Sequence, residues 1–207
     1  FFNEHPEEYF PQTQIDVVQL PEGAGGDIIR ERSFMGPIGN QALDALSYIQ
    51  TNIIQAVILK RSDRAESDHF HNYPYPAIEE ALVNAVYHRS YEIREPIEVR
   101  VLPDHMTITS YPGPDRSISI EDLEAGTFIA RRYRNRRIGE FLKELRLTEG
   151  RGTGVPKIIK AMENNGSPRP RFITDEDRTF FTTILPVHPY LLEAAITPQV
   201  TPQVTPQ

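Results

Sequence analysis

The segment Glu80-Ala-Leu-Val-Asn84-Ala-Val-Tyr-His88 sets a carboxylate, an amide and an imidazole four residues apart in an apolar run. On a helix of 3.6 residues per turn, spacings of four and eight keep side chains near one face. Leu82, Val83 and Val86 can then turn to a core while Glu80, Asn84 and His88 form a polar line. Such a line suits a metal-bound phosphate or an activated water. The competing reading is structural, with Glu80 and Asn84 bracing nearby backbone and His88 packing or capping.

A second segment, Gly150-Arg-Gly152-Thr153-Gly154-Val-Pro-Lys157, is a glycine-rich turn opening onto a helix. Turns of this kind cradle anions with backbone N–H groups. Thr153 can add a hydroxyl, and Lys157 sits in the first helical turn. The alternative is a tight turn that needs positive φ. Together the two segments predict a nucleotide site. Between them, Arg131-Arg132-Tyr133-Arg134-Asn135-Arg136-Arg137 carries five arginines in seven residues and no acid. It reads either as a phosphate or nucleic-acid contact, with Tyr133 available to stack on a base, or as a solvated loop pairing with Glu121, Asp122 and Glu124. Asp68, His69 and His71 lack the further fixed ligand that a metal site needs.

These groups need a scaffold to position them. Alternation predicts a strand over Gln14–Leu20 and a hairpin from Ile97, Val99, Val101 to Met106, Ile108, Ser110. Leu43, Leu46, Ile49 and Ile53 predict a helix over Asn40–Ile54. Ala56–Lys60 reads as a short strand and Arg61–Asn72 as a loop. The polar-line helix runs from Pro76 to about Arg89, with proline in its first turn. Ser119 begins a short helix that ends at Gly126, with Asp122 in the capping-box position. Helices follow from about Arg136 to Leu145 and from Pro156 to Asn165, closed by Gly166. Thr179–Val187 closes the fold as a strand. The end of the chain, from Thr197, repeats Thr-Pro-Gln-Val, and proline every fourth residue excludes a helix interior. An extended linker is expected there, leading to a further domain.

With 207 residues the chain can bury a real core as one domain or two modest ones. A net charge of −7 argues against a chain that coats nucleic acid wholesale. Without cysteine it has neither disulfides nor thiolate metal sites. No apolar run reaches the roughly 20 residues needed to span a bilayer, no signal-peptide pattern opens the chain, and a cytoplasmic protein is expected. The start at Phe1-Phe2 reads as a fragment of something longer.

The order of elements from residue 76 to 187, with Glu80-x-x-x-Asn84 at its start, resembles the GHKL (Bergerat-fold) ATPases. More narrowly, Glu80-Ala-Leu-Val-Asn-Ala-Val-Tyr-His-Arg89, Arg134-Asn135 and Glu149-Gly-Arg-Gly-Thr-Gly154 resemble a bacterial and archaeal branch. Its members carry the labels RecG-related ATP-dependent DNA helicase or transcriptional regulator. The resemblance implies an α+β fold: a GHKL-like two-layer sandwich on a mostly antiparallel sheet, preceded by a small α/β segment. It implies three parts: residues 1–73 as the end of an Alba-type (Schlafen-like) DNA-binding domain with a connecting helix, 74–190 as the ATPase-like domain, and 191–207 as a linker toward a winged helix.

By the same resemblance Glu80 is the general base and Asn84 holds Mg²⁺ of an Mg–ATP cofactor. His88, Gly113, Gly150, Gly152, Thr153, Gly154 and Lys157 line the nucleotide, while Arg131, Arg132, Arg134, Arg136 and Arg137 meet phosphate or nucleic acid. Two departures stand out. Tyr111 occupies the place of the Asp that accepts from the adenine amino group, and Pro114 replaces a glycine of the first glycine box. An unpaired buried adenine amino group costs roughly 1–3 kcal/mol, about ten- to a hundredfold in affinity. The expected function is therefore a regulatory, nucleotide-binding module of a cytoplasmic DNA-binding protein that meets DNA through flanking domains and forms a homo-oligomer. A slow Mg²⁺-dependent ATPase and a non-catalytic dimerisation module are the alternatives. Helicase activity has no support, because no Gly-x-x-x-x-Gly-Lys-Ser/Thr loop is present.

Overall fold

The computed structural model describes residues 3–60, 67–128, 134–148 and 153–196. After a 3-10 turn at Pro6–Glu8, the chain forms β1 (Ile15–Gln19), β2 (Arg30–Phe34), α1 (Ile38–Asn52), β3 (Ala56–Lys60), β4 (Ser67–His71) and α2 (Tyr75–His88). It continues with β5 (Ile97–Val101), β6 (His105–Ser110), α3 (Ile120–Ala125), α4 (Arg136–Glu144), α5 (Gly154–Asn165), β7 (Arg171–Ile173), β8 (Phe181–Pro186) and α6 (Pro189–Ile196). Among the described residues, six strands form one sheet in the order β2-β1-β5-β6-β8-β7, and β3 and β4 form a separate hairpin. All pairs are antiparallel except β1 with β5. The fold is thus the expected α+β arrangement on a mostly antiparallel sheet.

Register explains the core. Val17, Val99, Ile108, Thr183 and Phe172 stand opposite one another across five strands and are all buried. Alternation sends their neighbours Asp16, Glu98, Thr109 and Thr182 to the other face. α1 and α2 join the same core through Ile38, Leu46, Ile49, Ile78, Leu82 and Val83. α2 packs on α1, α4, α5 and β6, so its apolar residues are buried on several sides and its polar line is half-buried.

Several local signals act as their chemistry requires. The Ser119 hydroxyl accepts from Asp122 N at 3.0 Å, and Gly126 ends α3 at φ +66°. Gly166 ends α5 at φ +74°. Other expectations need correction. Residues 67–71 are a strand rather than part of a loop, because His69, Phe70 and His71 pair with Ile58, Val57 and Ala56. β2 escaped sequence reading because it is a charged edge strand, exposed except at Phe34, and carries no alternation to detect. β7 is only three residues long. Residues on the two sides of position 74 also pack together. β1 runs beside β5 in the sheet, and Ile15, Val17 and α1 share one core with α2. The terminal repeat lies outside the described residues.

Candidate functional site

α2 carries Glu80 and Asn84 one turn apart, and the Asn84 amide donates to Glu80 Oε1 at 3.3 Å. α5 runs antiparallel against this helix. Its last residue, Asn165, exchanges hydrogen bonds with the backbone of His71 just ahead of α2, and its first, Gly154, meets Glu80 and Asn84. A Cβ on Gly154 would lie 2.4 Å from Asn84 Nδ2 and 2.7 Å from Glu80 Oε1. The glycine lets both side-chain ends lie against the start of α5, and any larger residue would have to turn them aside. Positive φ, the alternative drawn from sequence, is not its reason, since Gly154 is not among the residues in the left-handed region.

One turn into α5, Lys157 Nζ stands 3.9 Å from Glu80 Oε2. Glu80 is 13% exposed and Lys157 43%, so the carboxylate is the sheltered partner. An ion pair this long and this exposed contributes under about 1 kcal/mol. Thr153 is the N-cap of α5, but its hydroxyl makes no capping bond and the residue is exposed. Outside the Glu80 carboxylate a groove of about 490 Å³ separates the two helices, with Glu79 and Glu80 on one wall and Lys157, Lys160 and Asn164 on the other.

His88 lies a turn beyond Asn84, stacked on Tyr87 with ring centroids 4.8 Å apart. Burial, aided by the nearby Arg134 guanidinium, pulls its pKa down to about 4, so the imidazole is neutral at physiological pH. The end of α2 is held from outside. Arg134 donates to the carbonyl of His88, and the Asn135 amide donates to those of Tyr87 at 3.0 Å and Arg89 at 2.7 Å. Arg89 itself is buried, and its guanidinium reaches the carbonyls of Gln12, Gln14 and Glu95. Arg89 closes the motif that carries the resemblance but was not among the expected site residues, although its position directly after the polar line was a signal.

The first glycine box lies beside that end of the helix, where Ser90 N donates to Tyr111 O at 2.7 Å. Burial, then the carboxylates of Glu95 and Glu98, push the Tyr111 phenol above its ordinary range, so it presents a neutral O–H. Gly113 faces its own fold. Its N–H donates to Arg178 O at 2.7 Å, and a Cβ would strike Thr174 Oγ1 and Phe180 O at 2.6 and 2.7 Å.

The structure therefore joins Glu80, Asn84, Gly154 and Lys157 into one cluster. His88, the Tyr111 carbonyl and Arg134 gather around the far end of α2, whereas Gly113 packs against Thr174, Arg178 and Phe180. Arg136 and Arg137 are exposed in the first turn of α4. Gly150, Gly152, Arg131 and Arg132 lie outside the described residues. Among the described residues, no group of three or more His, Cys, Asp or Glu side chains could hold a metal, and no helix is long and apolar enough to cross a membrane.

Residues 95–185 match the family model described as "Putative ATP-dependent DNA helicase recG C-terminal". The match begins after α2, so it does not include Glu80 or Asn84. A solved structure, the DIP2311 protein from Corynebacterium diphtheriae, superposes with a TM-score of 0.67 at 20% identity over 89% of this chain. At that identity the likeness concerns the fold. The chain spans 37% of that protein's length. No curated protein matches the chain in sequence. The chain thus contains a RecG C-terminal-like, ATPase-like domain, a type of domain compatible with ATP and Mg²⁺. The family match does not reach residues 1–73, which the sequence resemblance reads as the end of an Alba-type domain.

Proposed function

We propose that this chain is a regulatory, nucleotide-binding module of a cytoplasmic DNA-binding protein. The observation that carries the reading is the seam between α2 and α5, where Glu80 and Asn84 meet the glycine turn at Gly154 and the Lys157 ammonium. A carboxylate and an amide oxygen are hard donors of the kind Mg²⁺ takes, and the metal keeps waters and phosphate oxygens in its remaining positions. The donor set fits a magnesium-bound phosphate, with Asn84 on the metal, and Lys157 and the first-turn amides of α5 on the anion. When bound, Mg²⁺ would neutralise phosphate charge. The chain's own part is to orient the phosphates and hold them between two helices.

Glu80 Oε1 accepts from Asn84 and Glu80 Oε2 faces the Lys157 ammonium, an arrangement that supports holding a phosphate at the seam. At the base end, the neutral Tyr111 phenol supports weaker adenine recognition than a carboxylate would. Arg136 and Arg137 support a second contact. Cations in the first turn of a helix oppose its dipole, so their place in α4 does not serve helix stability and suits an anionic partner such as DNA phosphate. Contact with DNA through flanking domains and assembly into a homo-oligomer belong to this same reading.

The test is thermal unfolding with Mg–ATP, with Mg–ADP and without nucleotide, for the parent and Asn84→Ala. A rise in Tm with millimolar Mg-nucleotide that disappears in Asn84→Ala is expected. No rise in the parent would sink the nucleotide reading and leave the ATPase-like fold as a scaffold.

A further inference from the structure

Asn135 occupies the N-cap position of α4, where an asparagine side chain ordinarily accepts from the first-turn amides. It makes no such bond. Its amide instead donates to Tyr87 O and Arg89 O at the end of α2, and the preceding Arg134 donates to the His88 carbonyl between them. Three successive carbonyls that a helix terminus leaves without intrahelical partners are therefore satisfied from the end of the arginine-rich segment.

Arg89 is 2% exposed and works in the opposite direction. Its guanidinium lies 4.9 Å from the Tyr91 ring centre and donates to the carbonyls of Gln12, Gln14 and Glu95 at 3.3, 3.5 and 2.7 Å. These carbonyls belong to the segment leading into β1 and the segment leading into β5. Ile97 N donates to Gln14 O at 3.1 Å, so the two segments are joined at that point.

We propose that Arg134, Asn135 and Arg89 form a clamp through the end of α2, coupling the arginine-rich segment to the segment that carries the chain into β1. Two features go beyond ordinary packing. A capping side chain is diverted from its own helix, and a buried guanidinium has backbone carbonyls of two other segments as its hydrogen-bond partners. A contact that draws Arg134 toward an outside anion competes with the His88 carbonyl and loosens the residue 12–14 backbone. Whatever precedes β1 in a longer protein is then linked to what the arginines touch. The coupling is reciprocal, as linkage requires.

Amide hydrogen exchange on the full chain tests this. Asn135→Asp removes both donors but keeps a residue suited to the N-cap. It is expected to speed exchange of the Gln14 and Ile97 amides by about tenfold or more, with the amides paired between β6 and β8 unchanged. Arg134→Gln, at an exposed position that leaves the core intact, is expected to act in the same direction with a smaller effect. Faster exchange confined to the Arg89 and Gly139 amides, with Gln14 and Ile97 unaltered in both variants, would overturn the clamp.

Discussion

Gly154 shows how one missing methyl group organises the site. Any Cβ there would occupy space held by the Asn84 amide and the Glu80 carboxylate. Gly154→Ala should turn the Asn84 amide and the Glu80 carboxylate away from each other, changing stability little but removing any nucleotide-induced rise in Tm; thermal unfolding with and without Mg–ADP measures both. His88 gives a pH signature. Its folded-state pKa is about 4 against an ordinary 6.5, so between those values the unfolded chain binds the extra proton. Stability should therefore fall as pH drops from about 6.5 to 4 and level off below that window. His188 is shifted the same way by burial and adds to the trend. His88→Gln should flatten the profile measured by denaturant unfolding from pH 7 to 4, and an unchanged slope would contradict the burial argument.

At the scale of elements, α4 matters because it closes on the end of α2. Ile138 and Leu142 bury one face of α4, and Gly139 lies so close to Tyr87 that a Cβ would fall 2.2–2.4 Å from the phenol ring and its hydroxyl. Gly139→Ala should cost about 1–3 kcal/mol, despite alanine being the better helix former. If the variant proves as stable as the parent by urea unfolding, the tight contact of α4 with α2 is not real. Ser119 offers a milder probe. Its hydroxyl caps α3, and Ser119→Ala should lose about 1 kcal/mol without touching the α2–α5 seam, so the thermal response to Mg-nucleotide should persist.

For the whole molecule, the question is what constitutes a folding unit. The parallel pairing of β1 with β5 and the burial of Ile15, Val17, Ile38, Leu46 and Ile49 in the common core pack residues before 74 against those after it. A fragment of residues 74–190 would expose the β1-facing edge of β5 and the α1-facing side of α2. It should fail to unfold cooperatively and should show poor amide dispersion in solution NMR. A well-dispersed, cooperative fragment would restore the boundary expected from sequence. The same reasoning explains why the clamp at Arg89 has consequences at a distance, since it joins segments far apart in the chain inside one core.

Much of the frame was readable in the chain alone, because its determinants are local. Helical spacing placed Glu80, Asn84 and His88 on one line of α2, alternation found β5 and β6, and Ser119, Gly126 and Gly166 marked helix ends through their own capping chemistry. Decisions that depend on residues distant in sequence needed the tertiary structure. Nothing local distinguishes a glycine kept for positive φ from one kept for close approach, and only the meeting of α2 with α5 shows that Gly154 is the second kind. Nothing local shows that Asn135 caps another helix, that Arg89 reaches the carbonyls of Gln12 and Gln14, or that Gly113 faces Thr174 and Phe180. β2 was unreadable because an edge strand needs no apolar alternation, and β1 joined the sheet through a parallel pairing that no short-range pattern encodes. Periodicity and caps depend on neighbours within a few residues, whereas register, layer and site closure depend on which surfaces are buried together.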